Sequence, residues 1–289
     1  MPRVRTAYVC SACGGGAPRW SGQCPHCDAW NTLVEEVVAE GPRRGGSPSA
    51  AAPAVPALLA ELAPDAAARW STGWAELDAA LGGGLVPGSV VLVGGEPGMG
   101  KSTLLLQVAA SVAAVGRRVL YVSGEESPAQ VRLRADRLGA AALGVPFVAA
   151  RRLEPVWARL DAEPADLLVL DSVQTVTVDG LDALAGSVAQ VRTVADAVAE
   201  RAKASGMAAV LVGHVTKEGA LAGPKALEHL VDVVLYVEGT GAADHRVVRA
   251  SKNRYGPVDE IAVFRMTGRG LEPVPNPSAL FLAGRRPGV

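Results

Sequence analysis

Gly95-Glu96-Pro97-Gly98-Met99-Gly100-Lys101-Ser102-Thr103 decides the fold of this chain. The stretch fits G-x-x-x-x-G-K-[ST], with a second hydroxyl after the motif. The apolar run Val90-Val91-Leu92-Val93 precedes it, and the periodic stretch Lys101–Val115 follows. A strand entering and a helix leaving set the loop's backbone N–H groups at a helix amino terminus, where they cradle phosphates. Lys101 is expected to reach the β- and γ-phosphates of ATP, and the Ser102 hydroxyl to serve Mg²⁺. A chance glycine-rich turn is the bland alternative; the order strand, loop, helix argues against it.

Working outward, strands and helices alternate. Strands are predicted at Arg118–Val122, Pro146–Ala149, Leu167–Leu170, Ala208–Val212 and Val233–Glu238. Helices are predicted at Pro128–Leu138, Leu153–Asp161 and Val188–Ser205, and Asp244–Ser251 with Ile261–Met266 reads as a closing pair. Continuous apolar strands between helices indicate an α/β fold with a mostly parallel sheet covered on both faces. This domain is expected to span 69–289. Residues 39–68, rich in Ala, Pro, Gly and Ser, read as a linker.

Two acids are placed to complete a nucleotide site. Asp171 ends the apolar strand Leu167–Leu170, the position from which an Asp orders the Mg²⁺ shell. The next residue is Ser172, so the group that activates water must lie elsewhere. Tyr121-Val122-Ser123-Gly124-Glu125-Glu126 is a strand ending in two acids, and Glu125 is the expected base with Glu126 in reserve. Both could instead merely start the next helix, as acids do. His214, at the end of Ala208–Val212, suits a γ-phosphate or water sensor and equally a structural histidine. The small-residue loops Gly180–Ala189 and Lys217–Lys225 follow strand ends, where such folds bind ligands. Lys252-Asn253-Arg254-Tyr255-Gly256 carries two cations at extended spacing, so Lys252 and Arg254 project to one side. They read either as a solvated basic turn or as a finger reaching a neighbouring subunit's nucleotide.

The four cysteines of the 289-residue chain all lie in its first 27 residues. Cys10-x-x-Cys13 and Cys24-x-x-Cys27 can close a tetrahedral Cys₄ site, and thiolates favour Zn²⁺. A redox dithiol pair is the alternative. Residues 1–38 are too small to fold on apolar burial alone, so zinc is expected to be structural. His26 lies inside a knuckle and reads as a surface residue. Formal net charge is −1, which excludes a global positive field for nucleic acid and leaves any contact to a local basic strip. The amino terminus lacks the apolar core of a signal peptide, and no apolar run is long enough to span a bilayer. A cytoplasmic protein is expected.

These segments resemble the bacterial RadA (Sms) family of recombination and repair proteins over nearly the whole chain. The resemblance is carried by the cysteine knuckles with Trp20-Ser21-Gly22-Gln23-Cys24-Pro25, by Gly95–Thr103, and by Gly124-Glu125-Glu126-Ser127. Asp171-Ser172-Val173-Gln174-Thr175, Gly186–Arg192, Gly213–Gly219 and Lys252–Gly256 complete it. Tyr255 replaces the family's usual Phe and keeps the ring. The resemblance implies a RecA-like ATPase core and a homo-hexameric ring. It implies single-stranded DNA in the channel and ATP-driven extension of recombination branches beside the RecA recombinase. It also implies a carboxyl-terminal domain similar to the Lon protease fold, which this chain is expected to lack.

Three functions compete on these observations. A DNA-dependent ATPase motor accounts for every motif. A nucleotide-gated adaptor would bind DNA or RecA without translocating. A small-molecule kinase would use the same phosphate loop, but it needs an arginine-rich lid and leaves the cysteine module and Lys252–Gly256 unexplained.

Overall fold

The computed structural model describes residues 4–10, 15–39, 58, 68–181, 183–214, 227–240 and 244–275. The amino-terminal module is a small antiparallel sheet of β1 (Val4–Cys10), β2 (Gly16–Ala17) and β3 (Leu33–Ala39), in the order β2-β1-β3. Among the described residues its core holds Cys10, Ala17, Cys24 and Leu33, with Tyr8 against them. In so small a module a bound metal adds stability that apolar burial alone rarely supplies.

The second unit is built on a nine-stranded sheet. It opens with α1 (Ala75–Ala80), β4 (Val90–Gly94), α2 (Lys101–Ala114) and β5 (Val119–Ser123). Then come α3 (Pro128–Leu138), α4 (Ala140–Leu143), β6 (Phe147–Ala149), α5 (Leu153–Ala162) and β7 (Leu167–Asp171). It closes with α6 (Val188–Ser205), β8 (Ala208–Val212), β9 (Val233–Gly239), β10 (His245–Asn253), β11 (Ile261–Thr267) and β12 (Gly270–Pro273). The order is β12-β11-β10-β9-β4-β8-β7-β5-β6, parallel from β9 to β6 and antiparallel from β9 to β12.

Strands β4, β5, β7 and β8 are buried at every position. Alternation along them feeds two cores. Val91, Val93, Tyr121, Leu167, Val169 and Val210 face α1, α2 and α3; Val90, Leu92, Val122, Leu168, Leu170 and Leu211 face α5 and α6. This is why the strands read as unbroken apolar runs. Helix α3 starts at a capping box, with the Ser127 hydroxyl accepting from the Gln130 N–H and the Gln130 side chain accepting from the Ser127 N–H.

The sheet and its two helical layers match the expectation, with three additions. Strand β12 pairs with β11, the short helix α4 follows α3, and the cysteine module carries its own sheet. Each rests on a few residues whose local pattern is weak and whose partners come from elsewhere in the chain. Lys252 and Asn253, expected after a strand, are its last two residues. Of the expected linker at 39–68, only Ala39, Leu58 and Ala68 lie within the described residues, and Lys217–Lys225 lies outside them.

Gly95 stands where β4 becomes the phosphate loop, with φ +150°, and a Cβ there would lie 2.4 Å from the Val237 carbonyl oxygen of β9. Gly95→Ala is expected to destabilise this domain by about 1–3 kcal/mol, the usual cost of such backbone strain. Thermal melting of the purified variant checks it; unchanged melting would show that the two strands yield freely.

Candidate functional site

The carboxyl ends of β4, β8, β7 and β5 stand side by side, and each delivers one part of the site. Gly100 caps α2 in the left-handed conformation, φ +93°. That positive φ favours glycine, and a Cβ there would also have to displace the Met266 methyl, 2.4 Å away. The loop's outer residues Glu96, Pro97 and Gly98 are exposed, while Met99, Gly100, Ser102 and Thr103 are half-buried. Lys101 is buried, and its Nζ donates to the carbonyls of Gly95 at 2.7 Å and Glu96 at 2.9 Å. Burial pulls its pKa below the ordinary lysine range, and the carboxylates of Asp171 and Glu125 push back. Those three charges therefore share one electrostatic field.

Asp171 closes β7 and is buried. Its Oδ2 accepts a 2.6 Å hydrogen bond from the Tyr121 hydroxyl on the neighbouring strand β5. Burial first, and then the Asp171 charge, raise the Tyr121 phenol well above its usual pKa, so it stays a donor. The carboxylate is thereby held in one orientation.

The two neighbouring acids have different surroundings. The Glu126 N–H donates to Ser123 Oγ at 3.0 Å, and the Glu126 carboxylate takes both Arg134 Nη atoms, at 2.5 and 2.7 Å. Such a bidentate pair neutralises and fixes the acid. Glu125 is exposed, and its Oε2 lies 3.1 Å from Nε2 of His214. His214 follows β8, so this contact passes over the end of β7, the strand between β5 and β8. The Gln174 amide donates to the His214 carbonyl at 3.4 Å, and His214 Nδ1 is buried with no partner among the described residues. The structure thus brings together Lys101, Asp171, Glu125 and His214, and gives Glu126 to Arg134.

Lys252 and Arg254 lie elsewhere. Asn253 pairs with Val233, and Val233 pairs with Val91 near the start of β4. The phosphate loop leaves the other end of that strand. Both cations turn to the Glu228–Asp232 segment, as the extended spacing predicts. Lys252 Nζ donates to the carbonyls of Glu228 and Val231, the latter at 2.7 Å, and Arg254 Nη1 meets Asp232 Oδ1 at 2.9 Å. Five residues of strand separate Val90 from Gly95, about 16 Å at strand rise, which is beyond an arginine's reach.

In the cysteine module, Sγ atoms of Cys10, Cys24 and Cys27 lie within 4.8 Å of one another, with Cys10 and Cys27 at 3.7 Å. A tetrahedral Zn²⁺ with Zn–S of about 2.3 Å needs sulfur separations of about 3.8 Å, so the set fits that ion. Cys13 lies outside the described residues. His26 turns its Nε2 to the Gly16 carbonyl, at 3.1 Å, and stays on the surface.

Tyr121, Arg134 and Asp232 escaped the sequence reading. A phenol inside an aliphatic strand and an acid inside Leu230-Val231-Asp232-Val233-Val234 were the available signals, because a polar group in a buried run needs a partner. Arg134 carried none, since an arginine two turns into a helix usually faces water.

Comparison with known proteins bears on both units. The AAA domain family matches residues 61–220, and the rubredoxin metal binding domain family matches residues 8–35. DNA repair protein RadA of Brucella abortus is 46% identical over 297 residues, covering 99% of this chain and 63% of that protein. The Pseudomonas aeruginosa protein of the same name is 48% identical, covering 98% of this chain and 62% of the relative. That of Bacillus subtilis is 42% identical, covering 100% and 64%. This chain thus spans somewhat under two thirds of the length of these relatives. A KaiC-like protein of Pyrococcus horikoshii superimposes with a TM-score of 0.60 at 20% identity, over 72% of this chain and all of that one, a likeness of fold alone. The AAA domain brings ATP and Mg²⁺ as its cofactors, and the metal ribbon brings zinc. Among the described residues no helix is long and apolar enough to cross a membrane.

The cysteine geometry predicts one Zn²⁺ per chain. Cys24→Ser is expected to lose the ion and unfold the small sheet while the larger domain melts as before, because the two cores share no residue. Metal analysis beside calorimetry checks both halves; zinc-free protein from a reducing purification would rule the site out.

Proposed function

This chain belongs to the RadA family, and from its geometry we propose that it is the ATPase of a ring-shaped DNA repair motor. In this reading it hydrolyses ATP when bound to single-stranded DNA and drives branch extension in homologous recombination beside the RecA recombinase. The chain divides into a zinc module at 1–38, a linker at 39–68 and the ATPase domain at 69–289. One observation carries the reading. The chain gathers Lys101, Asp171, Glu125 and His214 at one end of β4 and holds a clamped cation pair at the other. A monomeric kinase has no use for the second; a ring, in which each subunit completes its neighbour's site, does.

The roles follow from the surroundings of each residue. Gly95–Thr103 wraps the phosphates, Lys101 neutralises charge that builds on the β- and γ-phosphates, and Ser102 with Asp171 holds the Mg²⁺ shell. Mg²⁺ held there by Ser102 and Asp171 would supply positive charge to the phosphates. Glu125, exposed beside that field, orients the attacking water. Glu126 is a structural ion pair with Arg134. Lys252 organises the Glu228–Val231 carbonyls, and Arg254, half-exposed, reaches across to a neighbouring nucleotide.

Glu125→Gln is expected to bind ATP and lose turnover by about 100-fold or more, whereas Glu126→Gln keeps most turnover and melts lower because Arg134 loses its partner. Lys101→Ala is expected to lose nucleotide binding in a folded protein, and Asp171→Asn to weaken the dependence on Mg²⁺. Turnover and melting measured on the same samples decide; an active Glu125→Gln with a dead Glu126→Gln would reverse the assignment.

Assembly gives a separate test. Arg254→Ala is expected to keep ATP binding and lose DNA-stimulated turnover. Mixing it with Glu125→Gln creates interfaces that pair an intact Glu125 with an intact Arg254 from different chains, so part of the activity returns. Mixed rings that form and recover nothing would send Arg254 to DNA or to its own subunit. Turnover with and without single-stranded DNA tests the motor as a whole.

A further inference from the structure

Asp232 is 2% exposed and immediately precedes β9, which opens with Val233-Val234-Leu235. A buried carboxylate is costly unless every oxygen is used. Both oxygens are. Oδ2 accepts the Val90 N–H at 3.0 Å, and Oδ1 accepts Arg254 Nη1 at 2.9 Å. The backbone repeats both links: the Asp232 N–H donates to the Val90 carbonyl at 2.9 Å, and the Arg254 N–H donates to the Asp232 carbonyl at 3.1 Å. One residue therefore ties Arg254 to the first residue of β4 by side chain and by main chain. Beside it, Lys252 locks the carbonyls of Glu228 and Val231. On the other side, the Tyr255–Gly256 turn rests on the loop before β4. A Cβ on Gly82 would lie 3.1 Å from Gly256 Cα, and Arg69 donates to the Tyr255 carbonyl at 2.6 Å.

The Arg254 side chain is half in solvent even so. One guanidinium nitrogen is held by the buried acid. The planar, forked group can still present its outer N–H donors, aimed by that fixed edge. An arginine without the anchor would sample many rotamers and lose most of the benefit of being placed.

We propose that Asp232 is a positioning residue for Arg254: it sets the direction of the cation and makes it rigid with the strand that carries the phosphate loop. The proposal rests on the reading of Arg254 as a finger that acts on a neighbouring subunit. Asp232 would then belong to the neighbour's reaction, although it touches only its own chain.

The test uses full-length protein and two comparisons. The first is a double-mutant cycle in DNA-stimulated ATP turnover among Asp232→Asn, Arg254→Ala and the pair. Asp232→Asn is expected to lower turnover about tenfold or more, with ATP binding retained, and the double variant to be no slower than Arg254→Ala alone, the signature of two residues acting as one unit. Losses that multiply would overturn the proposal. The second is mixing. Asp232→Asn should regain activity with Glu125→Gln and gain nothing with Arg254→Ala, since its own nucleotide site is sound and its finger is not. The reverse pattern would mean that Asp232 serves its own phosphate loop through Val90, and the proposal falls. Should Arg254→Ala itself fail to recover with Glu125→Gln, the reading in trans fails, while the cycle still decides whether Asp232 positions Arg254. If Asp232→Asn does not fold, Asp232→Glu keeps the charge and moves it by one methylene. It is expected to lose turnover in the same mixing pattern, and wild-type turnover from it would refute the positioning role.

Discussion

Strand β4 is buried on both faces and paired in parallel on both edges, with β8 and with β9. Everything functional in the larger domain hangs on that constraint. A strand with no exposed surface cannot shift register without pulling Val91 and Val93 out of one core and Val90 and Leu92 out of the other. Its carboxyl end is therefore a fixed point, and the phosphate loop starts there. Its amino end is equally fixed, and there Asp232 binds Val90. Cross-linked in this way, the two ends of one short strand present a nucleotide-binding loop and an anchored arginine at opposite edges of the sheet.

Charge in the site is managed by burial and pairing together. Lys101 is drawn out of water and given two carbonyls, and two carboxylates offset part of what burial costs its charge. Asp171 is satisfied by a phenol that burial keeps protonated. Glu126 is tied off by Arg134, while Glu125 stays exposed beside His214. Adjacent residues of the same type thus come to different surroundings, one facing an arginine and the other a histidine across the sheet.

The zinc module follows a different economy. Among the described residues its most buried side chains are two of the sulfur ligands themselves, Cys10 and Cys24. Stability there comes from coordination, so the module can fold beside the larger domain without drawing on its core.

Much of this was legible in the chain itself. Unbroken apolar runs ending in Gly95, Asp171 and Glu125 named the strands, the sheet type and the carboxyl-end residues, because a buried strand has no choice of composition. The two C-x-x-C pairs, Cys10 with Cys13 and Cys24 with Cys27, named the metal chemistry, because coordination geometry is local. The tertiary structure alone gave Glu126 an arginine partner and Glu125 a histidine one, since Arg134 and His214 come from other elements. It alone set Lys252 and Arg254 at the far end of β4 and put Asp232 behind them, since strand order and antiparallel return are not written in any local pattern. Local rules fix what each segment is; which segments meet depends on the order in which the sheet assembles them.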